Sequence, residues 1–296
     1  MSSAFDPAAA SLYGRFVQAA YTMYGADPTN LTPPQSNDFP SGYRLVAWIT
    51  MQDFIIGSTA PLFYGFIAGS TTADGSYVLA IRGTSNGIEW WDDINAMVKQ
   101  PFKVAGCGAV ASAFARIYDT LEVLHPTTGV TAVRPQAESM KSAGGFAHQV
   151  AASIRRHAAM GARAAAPVSI EVAGHSLGAA LATLYTLDNA KTEQISNPRL
   201  CTFASPLVGD AAFAAAFNAL ALTSWRIVNR PDIVTLLPPH VFGFCHVDTE
   251  QLLSSIGKVR SSVLCWHVLA TYLSLLDPAQ LPDPGCRLAA PSGSAQ

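Results

Sequence analysis

The spacing of apolar and polar positions changes several times along the chain, and each change predicts an element. Residues 8–24 carry apolar side chains at helical spacing, which predicts an opening helix. A segment rich in Pro, Asn and Ser, residues 27–42, predicts a loop. Three β-like runs follow at 43–49, 62–68 and 77–81, the last two parted by the turn Ala73-Asp74-Gly75. Residues 88–99 are amphipathic, and 109–124 and 145–165 read as helices. Residues 168–172 form a short apolar strand, and a long helix opens at Ser176. Alternation then continues with a strand at 199–203, a helix at 210–219, a strand at 225–228 and a last helix at 266–276. Strands alternating with helices imply an α/β fold with a mostly parallel central sheet and helices on both faces. The pattern predicts a single domain over residues 1–284, with the Pro/Gly/Ser-rich residues 285–296 as a flexible tail.

Composition narrows this picture. The chain has 296 residues, of which 50% are hydrophobic and only 13% charged, so it can bury a sizeable core and does not read as disordered. A net charge of −2 without a Lys/Arg cluster offers no basic face for nucleic acid. No apolar run approaches the ~18 to 20 residues of a membrane span. The helix after Ser176 comes closest, but His175, Thr183, Thr186 and Asp188 punctuate it. The N-terminus lacks a positive start followed by an apolar core, so no secretory signal is read. The expectation is a cytoplasmic protein, or one exported as a mature or signal-independent form. Cys107, Cys201, Cys245, Cys265 and Cys286 are widely spaced with no Cys-x-x-Cys, which suits buried or free thiols and leaves one disulfide, such as Cys245 with Cys265, open. No His/Cys cluster has metal-ligand spacing.

The chemistry lies in two matches to Gly-x-Ser-x-Gly, the pattern of a nucleophilic serine on a sharp strand-to-helix turn. One is Gly83-Thr84-Ser85-Asn86-Gly87 and the other Gly174-His175-Ser176-Leu177-Gly178. Chance alone supplies such a match in roughly one chain in ten of this size, so context decides. The turn demands small residues where strand and helix nearly touch. Around Ser176 a strand precedes, and Gly178, Ala179 and Ala180 open the helix that follows. After Ser85 come Ile88, Glu89, Trp90, Trp91 and Asp92, too bulky and charged to lie against a sheet. Ser176 is the candidate nucleophile.

A serine hydrolase of this kind places its acid and then its histidine later in the chain. Asp232 ends Trp225-Arg226-Ile227-Val228-Asn229-Arg230-Pro231-Asp232, a loop directly after a strand, as an acid should. Asp188 falls within a helix, and Asp210 reads as an ordinary N-cap. His267 opens an apolar helix, where a carboxylate can hold one ring nitrogen while the other reaches the serine. His246 reads as a buried structural histidine, and His240 sits in a Pro-Pro-His loop. His125, His148 and His157 precede the acid and take surface or packing roles. His175 adjoins the nucleophile, but neighbouring side chains on a turn diverge.

These residues carry a resemblance. From about residue 77 to 276 the chain is similar to the class 3 lipases, the α/β-hydrolase family that includes the fungal triacylglycerol lipases. The matching stretches occur in order: IRGTS, Glu89-Trp90-x-x-Asp93, VAGHSLGAALA, TFASPLVGD, WRIVNRPDIVTLLPP, FCHVDTE and HVLATYL. The resemblance implies an α/β-hydrolase fold, Ser176, Asp232 and His267 as the triad, and the backbone N–H groups of Thr84 and Leu177 as the oxyanion hole. The chain departs from the family at Ala204 for a glycine, at Leu207 for an arginine, and at Ala111-Ser112-Ala113-Phe114 for a His-x-Gly-Phe. These departures suggest a divergent, bacterial branch. The implied reaction is acyl transfer from acylglycerol esters through an acyl-enzyme, requiring no metal or organic cofactor. The implied partner is an ester substrate at a lipid–water interface. Alternatives on the same scaffold are a phospholipase A1, a mono- or diacylglycerol lipase, a feruloyl-type esterase, or a catalytically silent lipid-binding relative. Residues 86–98 can form a short amphipathic helix, with Trp90 and Ile94 on one face and Ile88 and Trp91 beside them. That is either an ordinary surface helix or a lid over the acyl pocket.

Overall fold

The computed structural model describes residues 4–52, 60–72, 75–84, 98–127, 137–160, 167–193, 195–196 and 199–289. Helix α1 (Pro7–Ala26) starts where Asp6 accepts from the N–H groups of Ala8 and Ala9 and Pro7 takes the first turn. Strands β1 (Tyr43–Gln52), β2 (Pro61–Ser70) and β3 (Ser76–Ile81) follow as an antiparallel meander. After β4 (Lys99–Pro101) and β5 (Ala109–Ala111) come α2 (Ser112–Tyr118), β6 (Glu122–Pro126), β7 (Ala137–Ser139) and α3 (Phe146–Met160). The second half runs β8 (Ser169–His175), α4 (Leu177–Thr192), β9 (Arg199–Phe203), α5 (Ala211–Asn218), β10 (Thr223–Asn229), β11 (Glu250–Leu253), α6 (Val263–His267) and α7 (Leu269–Leu276). The 9-stranded sheet has the order β11-β10-β9-β8-β3-β2-β1-β6-β7. β3 and β8–β11 run parallel, and β2, β1, β6 and β7 extend the sheet antiparallel on the far side of β3.

Two apolar layers sandwich the sheet. In β3, Tyr77, Leu79 and Ile81 face one layer and Val78 and Ala80 the other, as the two-residue period of a strand requires. The first layer is completed by α2, α3 and α4, the second by α1 and α7. Residues 177–189 of α4 are buried on every side, which explains a helix with no polar face.

Three expectations are corrected. Residues 109–124, read as one helix, form β5, α2 and β6: α2 ends at Asp119, and the next residues pair with β1. Their Leu-Glu-Val-Leu-His alternation suits a strand once β1 offers an edge. Cys265 pairs with Cys286 and not with Cys245; Cys107, Cys201 and Cys245 are free. The chain returns past α7 to set the two Cα atoms 5.2 Å apart, which two separations of similar length cannot reveal. Cys286, expected in a loose tail, is therefore pinned and only 3% exposed, with Arg260 N–H donating to its carbonyl. Among the described residues no helix is long and apolar enough to cross a membrane.

Candidate active site

The site sits at the C-terminal end of the parallel strands, where loops converge. Strand β8 ends at His175, and Ser176 turns directly into α4 with φ 56° and ψ −124°, a conformation L-residues rarely adopt. The turn is possible because its neighbours lack side chains. A Cβ on Gly174 would lie 2.3 Å from the Gly178 carbonyl oxygen, and one on Gly178 would lie 2.3 Å from that of Ile81. Both glycines are sterically required.

Asp232 lies in the turn after β10 and His267 at the end of α6. His267 Nε2 is 2.9 Å from Ser176 Oγ, and His267 Nδ1 is 2.9 Å from Asp232 Oδ2. A carboxylate only accepts, so Nδ1 carries the proton and the bare Nε2 accepts from the serine hydroxyl. All three side chains are buried. Asp232 is held by two further donors, Tyr272 Oη–H to Oδ2 at 2.6 Å and Val234 N–H to Oδ1 at 3.0 Å. Burial and the adjacent Asp232 raise the Tyr272 phenol well above its ordinary range, so it remains a donor. Asn229 Nδ2 donates to the Trp266 carbonyl at 2.8 Å and fixes the chain beside the histidine.

Thr84 follows Gly83 in the loop after β3, and that loop lies against the turn that carries Ser176. A Cβ on Gly83 would approach Ser176 Cβ to 2.9 Å. Thr84 and His267 share a cavity of about 370 Å³ lined also by Tyr21, Tyr24, His175 and Leu269. Leu177 opens α4, so its N–H has no acceptor within the helix. Ile88, Trp90, Trp91 and Ile94, the lid and acyl-pocket candidates, lie outside the described residues.

The remaining histidines have other partners. His175 donates from Nε2 to the backbone carbonyl of His267 at 2.8 Å and is pushed down to about 3, chiefly by burial and then by His267. His246 bonds the Thr235 carbonyl at 2.7 Å and is pushed down to about 3 by burial, with Arg226 adding to it. Three site residues had escaped the sequence reading. Tyr272 and Tyr21 sit in apolar runs and Arg82 closes one, and the partner each finds lies on a distant element that its local pattern does not reveal.

A parallel sheet with a strained serine after one strand, an aspartate after a later strand and a histidine beyond it defines the α/β-hydrolase fold. A family model described as Lipase (class 3) matches residues 78–242. The chain belongs to the class 3 lipase family. It is 29% identical over 250 residues to phospholipase A1-II 4 of Oryza sativa subsp. japonica, covering 79% of this chain and 60% of the relative. It is 44% identical over 119 residues to a lipase of Rhizomucor miehei, covering 36% of this chain and 33% of the relative. The chain thus spans 60% or less of the length of these curated relatives. Among solved structures, the lipase from Rhizopus microsporus var. chinensis superposes with a TM-score of 0.61 at 20% identity, covering 85% of this chain and 76% of that one. At that identity the likeness speaks for the fold.

Proposed function

We propose that the protein is a serine carboxylic ester hydrolase acting on acylglycerol or related lipid esters, with Ser176 as nucleophile, His267 as general base and Asp232 as its orienting carboxylate. The observation that carries this is the unbroken line of bonds Asp232–His267–Ser176, at 2.9 Å each, ending on a serine in a strained turn. His267 takes the Ser176 proton as Oγ attacks the ester carbonyl. The oxygen of the tetrahedral intermediate is bound by the Thr84 and Leu177 N–H groups, a contribution of about 3 to 4 kcal/mol per donor in such sites. His267 then protonates the departing alkoxide, and water repeats the sequence to release the acid. Ser176→Ala is expected to abolish hydrolysis of p-nitrophenyl butyrate and labelling by a phosphonate. Equal rates for wild type and variant would remove Ser176 from the reaction.

A lipid–water interface is the proposed working surface. The 3₁₀ turns Ile233–Leu236 and His240–Phe242, just beyond Asp232, expose Leu236, Val241 and Phe242, the second at 84%. Leu264, three residues before His267, is also exposed. The cost of leaving such side chains in water is offset where they enter a lipid phase. Replacing Val241 and Phe242 with serine is expected to reduce adsorption to a triolein emulsion several-fold while p-nitrophenyl butyrate is cleaved as before. Phospholipase A1 activity is the second reading, favoured by the name of the rice relative. Head-group panels of diacylglycerol against phosphatidylcholine separate the two.

The Cys265–Cys286 bond supports work in an oxidising compartment, because such bonds form and persist there. Thiol counting on protein taken directly from its source tests this. A bacterial branch is part of the same proposal and rests on Ala204, Leu207 and the 111–114 segment; a tree including bacterial members tests it.

A further inference from the structure

Gly83 is gripped on both of its backbone polar groups by side chains. Its N–H donates to Tyr21 Oη at 2.8 Å, and its carbonyl accepts from Arg82 Nη1 at 2.7 Å. The peptide unit that carries the Gly83 carbonyl is the one that carries the Thr84 N–H. In a trans peptide these two groups point in opposite directions. Fixing the carbonyl on the guanidinium therefore fixes the direction of the Thr84 N–H.

The grip is built deeply. Arg82 is 1% exposed, donates from Nε to the Phe63 carbonyl at 3.0 Å, and lies between the rings of Tyr24 and Tyr64 at 3.6 and 4.0 Å. Among the described residues no carboxylate forms an ion pair with it. A buried cation on a peptide carbonyl also draws electron density from the N–H at the other end and strengthens it as a donor. A second arm reaches the base. His175 Nε2 must carry a proton, because its partner is the His267 carbonyl, so Nδ1 is bare and accepts Tyr21 Oη–H at 2.8 Å. One direction of donation satisfies the whole chain, from Gly83 N–H to Tyr21, from Tyr21 to His175, and from His175 to the His267 backbone.

We propose that Arg82 and Tyr21 are positioning residues of the oxyanion hole, clamping Gly83 so that the Thr84 N–H faces the developing oxyanion, with Tyr21 and His175 holding that loop in register with His267. The inference rests on the acyl-transfer reading above. Neither residue needs to touch substrate to act this way. Because the clamp serves the tetrahedral state, its loss lowers kcat and leaves KM for a soluble ester nearly unchanged.

The test compares Tyr21→Phe, which removes one oxygen, with Arg82→Lys, which keeps the charge but not the fork. Each is assayed on p-nitrophenyl butyrate and against an aryl boronic acid, which forms a tetrahedral adduct on a reactive serine. Tyr21→Phe is expected to lower kcat roughly tenfold or more, with KM within about twofold. The boronic acid Ki is expected to rise in parallel with the fall in kcat/KM. Arg82→Lys is expected to move in the same direction, and if it does not fold, Tyr21→Phe decides. A Tyr21→Phe enzyme with wild-type kcat, or one whose kcat falls while the boronic acid binds as before, overturns the clamp. A wild type without Ser176-dependent activity overturns the acyl-transfer reading instead, and the clamp with it.

Discussion

Ser176, Ala204 and Ala221 all hold positive φ, at 56°, 52° and 54°, yet the consequences differ with what each side chain touches. Ser176 keeps the conformation that projects Oγ toward His267. Ala221 is exposed after α5, and its methyl contributes little there while the left-handed backbone costs about 1 kcal/mol or more. Ala221→Gly is expected to stabilise the protein by about 0.5 to 1 kcal/mol, seen as a rise in Tm of about 1 to 2 °C by calorimetry. Ala204 is fully buried against the α1 and α7 layer, so losing its methyl offsets the relief and Ala204→Gly is expected to leave Tm unchanged. The acid offers a sharper contrast. Asp232→Asn keeps the volume but presents an amide donor to Nδ1, which favours the wrong imidazole tautomer. A fall in kcat of about 10⁴-fold with the fold intact by circular dichroism is expected. Ser176 and Asp232 were legible in sequence through a local sign each, small residues around a turn and an aspartate after a strand. His267 reads in sequence as opening one helix over 266–276, whereas that stretch breaks at Val268 and His267 closes α6. Tyr21, Arg82 and Tyr272 were not legible, because a tyrosine in a helix or an arginine ending a strand acquires its partner only when distant elements meet.

At the scale of elements, legibility followed burial. The strands β3, β8, β9 and β10 and the helix α4 are buried on both sides or all round, so their apolar runs are long and marked by clear breaks. β7 and β11 are short edge strands with exposed positions, and their pairing depends on β6 and β10 rather than on their own pattern. α6 shows what such an edge element needs. It has only 5 residues, too few to hold itself, and it carries His267. Ser262 caps it by accepting from Cys265 N–H, and the disulfide to Cys286 joins it to the segment that bonds Arg260. Closing a loop with a sequence separation of 21 is worth about 3 kcal/mol by chain entropy. Cys286→Ser is expected to destabilise by about that amount in urea titrations, and dithiothreitol should lower the Tm of the wild type but not of the variant. Equal sensitivity of both proteins to the reductant would mean the bond is not what holds α6.

For the molecule as a whole, three wholly or partly buried histidines that neither attack nor transfer a proton in the proposed reaction contribute to its response to acid. His175 and His246 are each pushed down to about 3, and His125 is pushed down as well, in every case first by burial. The ordinary histidine value near 6.5 applies to the unfolded chain. Between about pH 6.5 and 3 the unfolded chain therefore binds more protons than the folded one at His175 and His246, and His125 acts in the same direction. Stability from neutral burial is fully present above pH 6.5 and is lost as pH falls through that window, by up to about 1.4 kcal/mol per pH unit for each of His175 and His246. Most carboxylates titrate below about pH 4.5, so the interval from 6.5 to 5 isolates the histidines. Urea unfolding at pH 7.5, 6.5, 5.8 and 5.0 is expected to give a flat upper limb and a steep lower one. His246→Gln keeps an amide able to donate to the Thr235 carbonyl but cannot take up a proton, so its lower limb should be shallower by about 1 kcal/mol per pH unit. A variant whose stability falls as steeply as the wild type would show that His246 is not protonated on unfolding in this range. The acid sensitivity would then have to come from His175 and His125, the first of which anchors the backbone of His267.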